Sequence, residues 1–381
     1  MKLAISIFLQ IVCINQSISQ NINSYISETN IDSLVKTVRD LSGEDSIYIN
    51  GVKTIISDRV STTGNNLAAD YIKEKLSSYN LNTTEQNYSL EGRNIFATQT
   101  GIQYPDSIYI ICAHYDAITS YCADDNASGA ATVIEAARIL SGECFDFTIV
   151  YALWDEEEIG LLGSNYYAQQ ANIKNESILG VLNLEMLGYD SDNDTKFDIH
   201  TNNDPNSLLV KDSLISIVNS YGLSLIPNVI NPGTTASDHA SFWNQNYGAI
   251  VFGESFFGGD GNPAYHTPND RINLFNIPYF KELSKLSVGI LSTLAKPCIT
   301  TSIEDLRTKD ISIYPNPTST QLIIDTEQNI NEVNILEITG RNVMIIKENT
   351  KTINVVDLPS GIYFLKVFSE DGAITKKFVK Q

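Results

Sequence analysis

IYIICAHYDAITSYCADD, residues 108–125, opens with an apolar run and stops abruptly at polar residues. Ile108 to Cys112 reads as a buried strand. His114 and Asp116 stand just past its end, and Asp124 and Asp125 follow a brief loop. Ala127, Ser128 and Gly129 then lead into AATVIEAARIL, whose apolar residues recur at helical spacing. A strand end and a helix start thus converge with their polar side chains on one place, the carboxyl edge at which open α/β sheets bind ligands. A histidine among carboxylates is a donor set suited to zinc. Taken alone, the stretch reads equally well as a satisfied histidine beside a solvated acidic loop, and the motifs further along the chain decide between the two.

The strand DFTIVYALW (146–154) runs into four adjacent acids, Asp155, Glu156, Glu157 and Glu158, and then into Ile159-Gly160-Leu161-Leu162-Gly163-Ser164 and a helix. Acids at a helix start are favoured by the macrodipole without any further role. The alternative is that one acid ligates a metal while its neighbour acts as general base. A third strand, ILGVLNLEM (178–186), carries Glu185 at its end. One strand ending in an acid is unremarkable, whereas three in succession form a pattern. Further on, Ser237-Asp238-His239 follows a Gly/Thr loop, and a glycine-rich loop with Phe256 and Phe257 delivers Tyr265-His266-Thr267-Pro268-Asn269-Asp270. Of the histidines at 114, 200, 239 and 266, His200 reads as structural, because no carboxylate pattern surrounds it.

The rest of the chain frames these motifs. Residues 30–42, 63–79 and 206–221 have helical periodicity, residues 81–100 read as an edge hairpin, and a closing helix spans about 277–294. Strand, helix, strand over 107–113, 129–141 and 146–154 predicts an α/β fold: a three-layer αβα sandwich with a mixed, mostly parallel central sheet. From Ile311 the pattern changes to short alternating strands with turn signals, which predicts a small all-β sandwich over 311–381 after a linker at 299–310. Residues 1–19 read as a signal peptide: Lys2, an apolar run to Ile14, and small residues before Gln20. With 25 Lys and Arg against 45 Asp and Glu, the net charge of −20 argues against a nucleic-acid or anionic-membrane partner. No stable membrane span is expected. Cys112, Cys122, Cys144 and Cys298 allow three disulfide connectivities, and spacing does not choose among them.

Taken in order, His114-Tyr115-Asp116, Ala123-Asp124-Asp125-Asn126-Ala127-Ser128-Gly129, Glu157-Glu158, Asn183-Leu184-Glu185-Met186, Ser237-Asp238-His239 and Tyr265-His266-Thr267 resemble the secreted two-zinc aminopeptidase family. That family includes bacterial leucyl aminopeptidases and aminopeptidase Y, with glutamate carboxypeptidases and glutaminyl cyclases as relatives. The resemblance implies a zinc peptidase domain over 20–298 that removes apolar N-terminal residues from peptides. It implies two zincs: Asp125 shared by both, His114 and Glu185 completing one, Glu158 and His266 the other. Glu157 would be the general base, Asp116 would orient the His114 ring, Tyr265 would donate to the oxyanion, and Asp238 and His239 would give outer support. The family often has Asp where Glu185 stands, and it implies a cis peptide between Asp125 and Asn126. Met186, Phe256 and Phe257 are candidates for lining the side-chain pocket or for core packing. The C-terminal segment, through Tyr314-Pro315-Asn316-Pro317, Gly340-Arg341, Leu358-Pro359-Ser360-Gly361-Ile362-Tyr363 and Lys376-Lys377, resembles the sorting domain of the type IX (Por) secretion system. That implies the secretion machinery as a partner and a secreted or cell-surface location. The rivals are a glutamate-type carboxypeptidase or glutaminyl cyclase on the same scaffold, and a catalytically inactive surface-binding protein.

Overall fold

The computed structural model describes residues 21–298, 311–326, 329–337, 341–347, 349–369 and 372–381. The signal peptide and the linker expected from sequence lie outside these residues, as does Gly340 of the Gly340-Arg341 turn. The chain divides into two compact units, residues up to 299 and residues from 300 onward.

The first unit begins with a helix that runs to residue 27 (α1) and α2 (Ile31–Leu41), which Asn30 caps by accepting the N–H groups of Asp32 and Ser33. A short hairpin comes next, β1 (Ile47–Ile49) and β2 (Val52–Thr54), then α3 (Thr62–Ser78), β3 (Asn82–Asn87), β4 (Arg93–Gln99) and β5 (Tyr104–His114). One π-helical turn, Ala123–Ser128, precedes α4 (Gly129–Leu140), β6 (Phe147–Trp154), α5 (Leu162–Ile173) and β7 (Ser177–Glu185). The unit closes with β8 (Lys196–His200), α6 (Pro205–Tyr221), β9 (Ile226–Ile230), α7 (His239–Trp243), β10 (Ala249–Glu254) and α8 (Ile277–Ala295).

Eight strands form one sheet in the order β3-β4-β6-β5-β7-β10-β8-β9. The middle four, β6-β5-β7-β10, are mutually parallel, while β3, β4 and β8 attach through antiparallel ladders. The expected mixed, mostly parallel sheet is therefore present, and the edge strand β9 and the β1–β2 hairpin are additions that the sequence patterns did not predict. Strand alternation divides the interior into two cores. Tyr109, Ile111 and Ala113 of β5 turn into a large core with Leu182, Leu184, Phe197, Ile199, Phe252 and residues of α2, α4, α6 and α8. Ile110 and Cys112 turn the other way, into a smaller core with Val150, Trp154, Tyr167, Val181 and Phe242. Helices α5 and α7 cover that second face. Beyond them the carboxyl ends of β5, β7 and β10 are left open, and His114 and Glu185 fall in register with the residues of the second face.

Cys144 and Cys298 form a disulfide that ties the segment leading into β6 to the chain just past α8, while Cys112 and Cys122 are buried thiols. The structure thus selects one pairing where spacing left three. No described helix is long and apolar enough to cross a membrane.

The second unit is all β: β11 (Ser312–Tyr314), β12 (Gln321–Asp325), β13 (Ile330–Glu337), β14 (Asn342–Ile346), β15 (Thr352–Asn354), β16 (Gly361–Ser369) and β17 (Gly372–Lys380). Its antiparallel sheets, β11-β12-β15 and β14-β13-β16-β17, share one apolar core that includes Leu322, Val333, Ile353, Leu365 and Phe378.

Candidate active site

Strand ends and the segments that follow them bring the predicted residues together. His114 is the last residue of β5, and its Nε2 lies 3.3 Å from both Asp125 Oδ1 and Glu185 Oε1. His266 Nε2 lies 3.3 Å from the other oxygen of Asp125, Oδ2, and 3.2 Å from Glu158 Oε2. Asp125 therefore stands between two half-sites, one with His114 and Glu185, the other with Glu158 and His266. Two donors sharing a tetrahedral zinc at about 2.0–2.1 Å are about 3.3–3.4 Å apart, so the spacing suits that ion.

A second observation bears on the fit. Asp125 Oδ2 and Glu158 Oε1 are buried without a hydrogen-bond partner among the described residues. Buried acceptors are rarely left so, and a cation satisfies them. The charge balance points the same way. Asp125, Glu157, Glu158 and Glu185 line one cavity with His114, and no lysine or arginine among the described residues lines it. Burial, reinforced by Asp238 and Glu185, pushes Glu157 up to about 10. Burial together with the charge of Asp125 pushes Glu158 up to about 7. At His114, burial works to lower the pKa, but Glu185, Glu157, Asp116 and Asp125 outweigh it and hold the ring well above its usual range. Divalent cations in the half-sites would reverse each of these shifts. Glu157 also comes within ligand distance of His114 and Glu185. The donor atoms of His114, Glu157 and Glu185 lie within 4.8 Å of one another, as do those of His114, Asp125 and Glu158, so each trio could hold a cation.

The backbone that aims these side chains is held by residues whose roles were hidden in the sequence. Asp270 accepts the N–H groups of Asp124 and Asp125 at 3.0–3.1 Å, directly behind the shared carboxylate. The peptide between Asp125 and Asn126 is cis, and the Asn126 side chain donates to Leu184 O (2.8 Å) while accepting from Gly129 N (3.0 Å). Ser237 donates to Glu185 Oε2 at 2.6 Å and accepts from Asn183 Nδ2 at 2.7 Å, so the first residue of Ser237-Asp238-His239 orients a predicted ligand. Asp155 accepts from Asn65 Nδ2 (2.7 Å) and Arg93 N (2.9 Å), pinning the turn that delivers Glu157 and Glu158. Arg59 is buried and donates to the carbonyls of Leu41, Tyr115, Tyr121 and Cys122 at 2.7–2.9 Å, fastening the loop between His114 and Asp125. Glu156, Met186 and His266 adopt left-handed backbone conformations, with φ of 56°, 51° and 59°. Such strain concentrates at functional sites.

Tyr265 sits at the cavity edge, 39% exposed, with its ring stacked on His266 at 3.7 Å. Asp238 is fully buried behind the site, and His239 is held by Thr234 O at 2.8 Å from its Nε2. Met186, Phe256 and Phe257 line the cavity. His200, expected to be structural, is buried and accepts from Thr234 N at 3.1 Å, and it also lines the same cavity two residues along β8 from Asp198. Its place on the cavity was not legible in the sequence, because the carboxylate two residues before it belongs to an alternating strand and not to an acidic motif.

Residues 94–290 match the family model described as Peptidase family M28. This chain belongs to peptidase family M28. Residues 312–381 match a second model, a secretion system C-terminal sorting domain. A probable leucine aminopeptidase of Arthroderma otae is 30% identical over 204 residues, 50% of this chain and 55% of that protein. The M28 chain thus spans about half the length of curated relatives it matches. Its fold is similar to that of the LapA aminopeptidase of Legionella pneumophila, with a TM-score of 0.63 at 22% identity over 73% of this chain and 75% of that one. It is also similar in fold to the glutaminyl cyclase of Bacteroides thetaiotaomicron, with a TM-score of 0.56 at 17% identity over 69% of this chain and 97% of that one.

Proposed function

We propose that this M28 chain is an exported zinc-dependent exopeptidase that removes N-terminal residues from peptides. The observation that carries the reading is Asp125, whose two oxygens each approach a different histidine at 3.3 Å. His114, Asp125 and Glu185 would hold one zinc, and Asp125, Glu158 and His266 a second. When bound, a metal pair polarises a carbonyl and makes hydroxide available near neutral pH.

The chain's own residues do the rest. Glu157 receives the proton of the attacking water and returns it to the leaving amine. Its position is set by its backbone N–H, which Asp116 Oδ1 accepts at 3.1 Å. Asp116 also faces His114 Nδ1, which keeps Nε2 free for the metal side. The Tyr265 hydroxyl donates to the oxygen that gains charge as the tetrahedral intermediate forms. Met186, Val251, Phe256 and Phe257 give the cavity apolar walls, which supports an N-terminal residue with an apolar body. A carboxypeptidase would need a cation for the substrate's terminal carboxylate, and no lysine or arginine among the described residues lines the cavity.

The match of residues 312–381 to a sorting domain supports export through the type IX system to the surface or medium. Two assays test the reading. Purified protein should cleave aminoacyl reporters, lose that activity to a chelator and regain it with zinc, and leave N-blocked and C-terminal reporters intact. Deleting residues 303–381 should spare the cleavage and stop delivery from the native cell. Turnover of the N-blocked peptide would refute the exopeptidase assignment.

A further inference from the structure

The cavity runs from the half-site of His114 and Glu185 across three neighbouring strands, and its far wall is polar. The ladders place Glu185 (β7), Gly253 (β10) and Asp198 (β8) in one row, and Asn183, Val251 and His200 in the next. Residues opposite one another on adjacent strands face the same side of a sheet. Asp198 and His200 therefore look into the cavity that Glu185 enters, while Phe197 and Ile199 turn into the large core. Glycine at 253 leaves nothing between the two acids. No other residue fits there, since a Cβ would lie 1.6 Å from the Glu185 carbonyl oxygen. Two strand spacings, roughly 9.5 Å, separate the Glu185 and Asp198 backbones, so only a long side chain reaches from one to the other.

Asp198 is 1% exposed, yet it has no cationic partner among the described residues. Its Oδ1 accepts from Asn228 Nδ2 at 2.8 Å and its Oδ2 from the backbone N–H of Phe257 at 2.9 Å, both neutral donors. A carboxylate has about four acceptor positions, so roughly half of this one's capacity is unused. Next to it, His200 Nδ1 accepts from Thr234 N at 3.1 Å. That bond fixes a neutral ring, which adds no positive charge to the wall. Between this wall and the metal half-site lie Met186, Val251 and Phe256.

We propose that this cavity selects peptides whose N-terminal residue is basic, lysine or arginine. The aliphatic stem lies along Met186, Val251 and Phe256, and the cationic head meets Asp198. Long basic side chains combine just such an apolar stem with a charged tip. A leucyl side chain ends short of Asp198 and leaves a desolvated carboxylate without a counter-charge, whereas a cation makes a charge-assisted hydrogen bond with it. This inference rests on the aminopeptidase reading and narrows its substrate class.

The test compares lysyl, arginyl, glutaminyl, norleucyl and leucyl p-nitroanilides on the zinc-loaded full chain, norleucine supplying the stem without the charge. We expect kcat/KM for lysyl and arginyl substrates to exceed that for norleucyl and leucyl by about tenfold or more, the scale of one buried charge pair. In Asp198→Asn the ratio should collapse towards one. Equal or better cleavage of norleucyl or leucyl substrate by the wild type overturns the proposal, as does a ratio unchanged in Asp198→Asn. A preference for glutaminyl substrate also overturns it, assigning the wall to a neutral amide. Calorimetric binding of free L-lysine and L-norleucine reads the pocket without turnover. If no anilide is cleaved with zinc present, the peptidase reading fails; lysine binding no tighter than norleucine binding, or indifferent to Asp198, sinks the pocket assignment by itself.

Discussion

Asp116 lies directly behind His114, with its Oδ1 3.3 Å from His114 Nδ1, on the side of the ring away from Asp125 and Glu185. The same carboxylate accepts the backbone N–H groups of Glu157 and Glu158 at 3.1 Å each. One side chain thereby stands against both the His114 ring and the turn that presents both glutamates. Asp116→Ala should weaken zinc binding by roughly 10–100-fold, as loss of a partner behind a ligating histidine does. It should also lower kcat in fully zinc-saturated enzyme, because Glu157 loses its anchor. Chelator competition reads the first effect and saturated kinetics the second; a variant with wild-type affinity for zinc would rule out the orienting role.

Glu157 and Glu158 are adjacent, but only Glu158 approaches His266, at 3.2 Å. Glu157→Gln keeps the shape and cannot accept a proton, so turnover should fall by roughly 10²–10⁴-fold with zinc content unchanged. Glu158→Gln should instead lower zinc occupancy, since a neutral amide is a poor ligand for a dication. Metal analysis beside rates separates the two, and near-normal turnover by Glu157→Gln refutes the proposed base.

The Ser237 hydroxyl donates a hydrogen bond to Glu185 Oε2 at 2.6 Å. Ser237→Ala should therefore loosen Glu185 and raise the zinc dissociation constant by about tenfold, the low end for lost outer partners. Glu185→Ala should remove most binding at that half-site, and Glu185→Asp should retain part of it. Titration with a competing chromophoric chelator ranks the three; Ser237→Ala as damaging as Glu185→Ala would make Ser237 more than a support.

Arg59 satisfies four backbone carbonyls with one buried guanidinium. Arg59→Met fills similar space but strips those carbonyls of their donors, each at about 1–3 kcal/mol when buried. Unfolding in urea should show a loss of at least about 3 kcal/mol for the unit that contains it. A loss below about 1 kcal/mol would mean that water replaces the guanidinium.

Much of the candidate site was legible in the sequence because its proposed ligands arrive in short motifs at strand ends. An apolar run that stops at a polar residue marks a strand's carboxyl end, and three such runs, closing at His114, Glu157-Glu158 and Glu185, imply one shared edge in a parallel sheet. The layered α/β architecture came from the same runs. So did the change at Ile311 to an all-β unit, where period-two alternation replaces helical spacing. These features are local, and local patterning carries them.

Whatever depends on which strands become neighbours had to await the tertiary structure. The β7-β10-β8 order brings Asp198 and His200 into the cavity, although residues 186–197 separate Asp198 from Glu185 along the chain. Nothing in KFDIH distinguishes a cavity wall from a solvated edge until β10 is placed beside it. The choice of Cys144 and Cys298 as the disulfide pair had the same origin, because a bridge requires two ends in space and spacing in sequence does not supply that. Asp270, Ser237 and Arg59 were likewise invisible as supports: each acts by a hydrogen bond to a residue tens of positions away or more, and such bonds are set by packing. The sequence by itself determined which chemistry this chain can carry, through residue types at strand ends. The packing of those strands decided what holds the chemistry in place and what side chain it admits, because distance in space, unlike order along the chain, depends on every element at once.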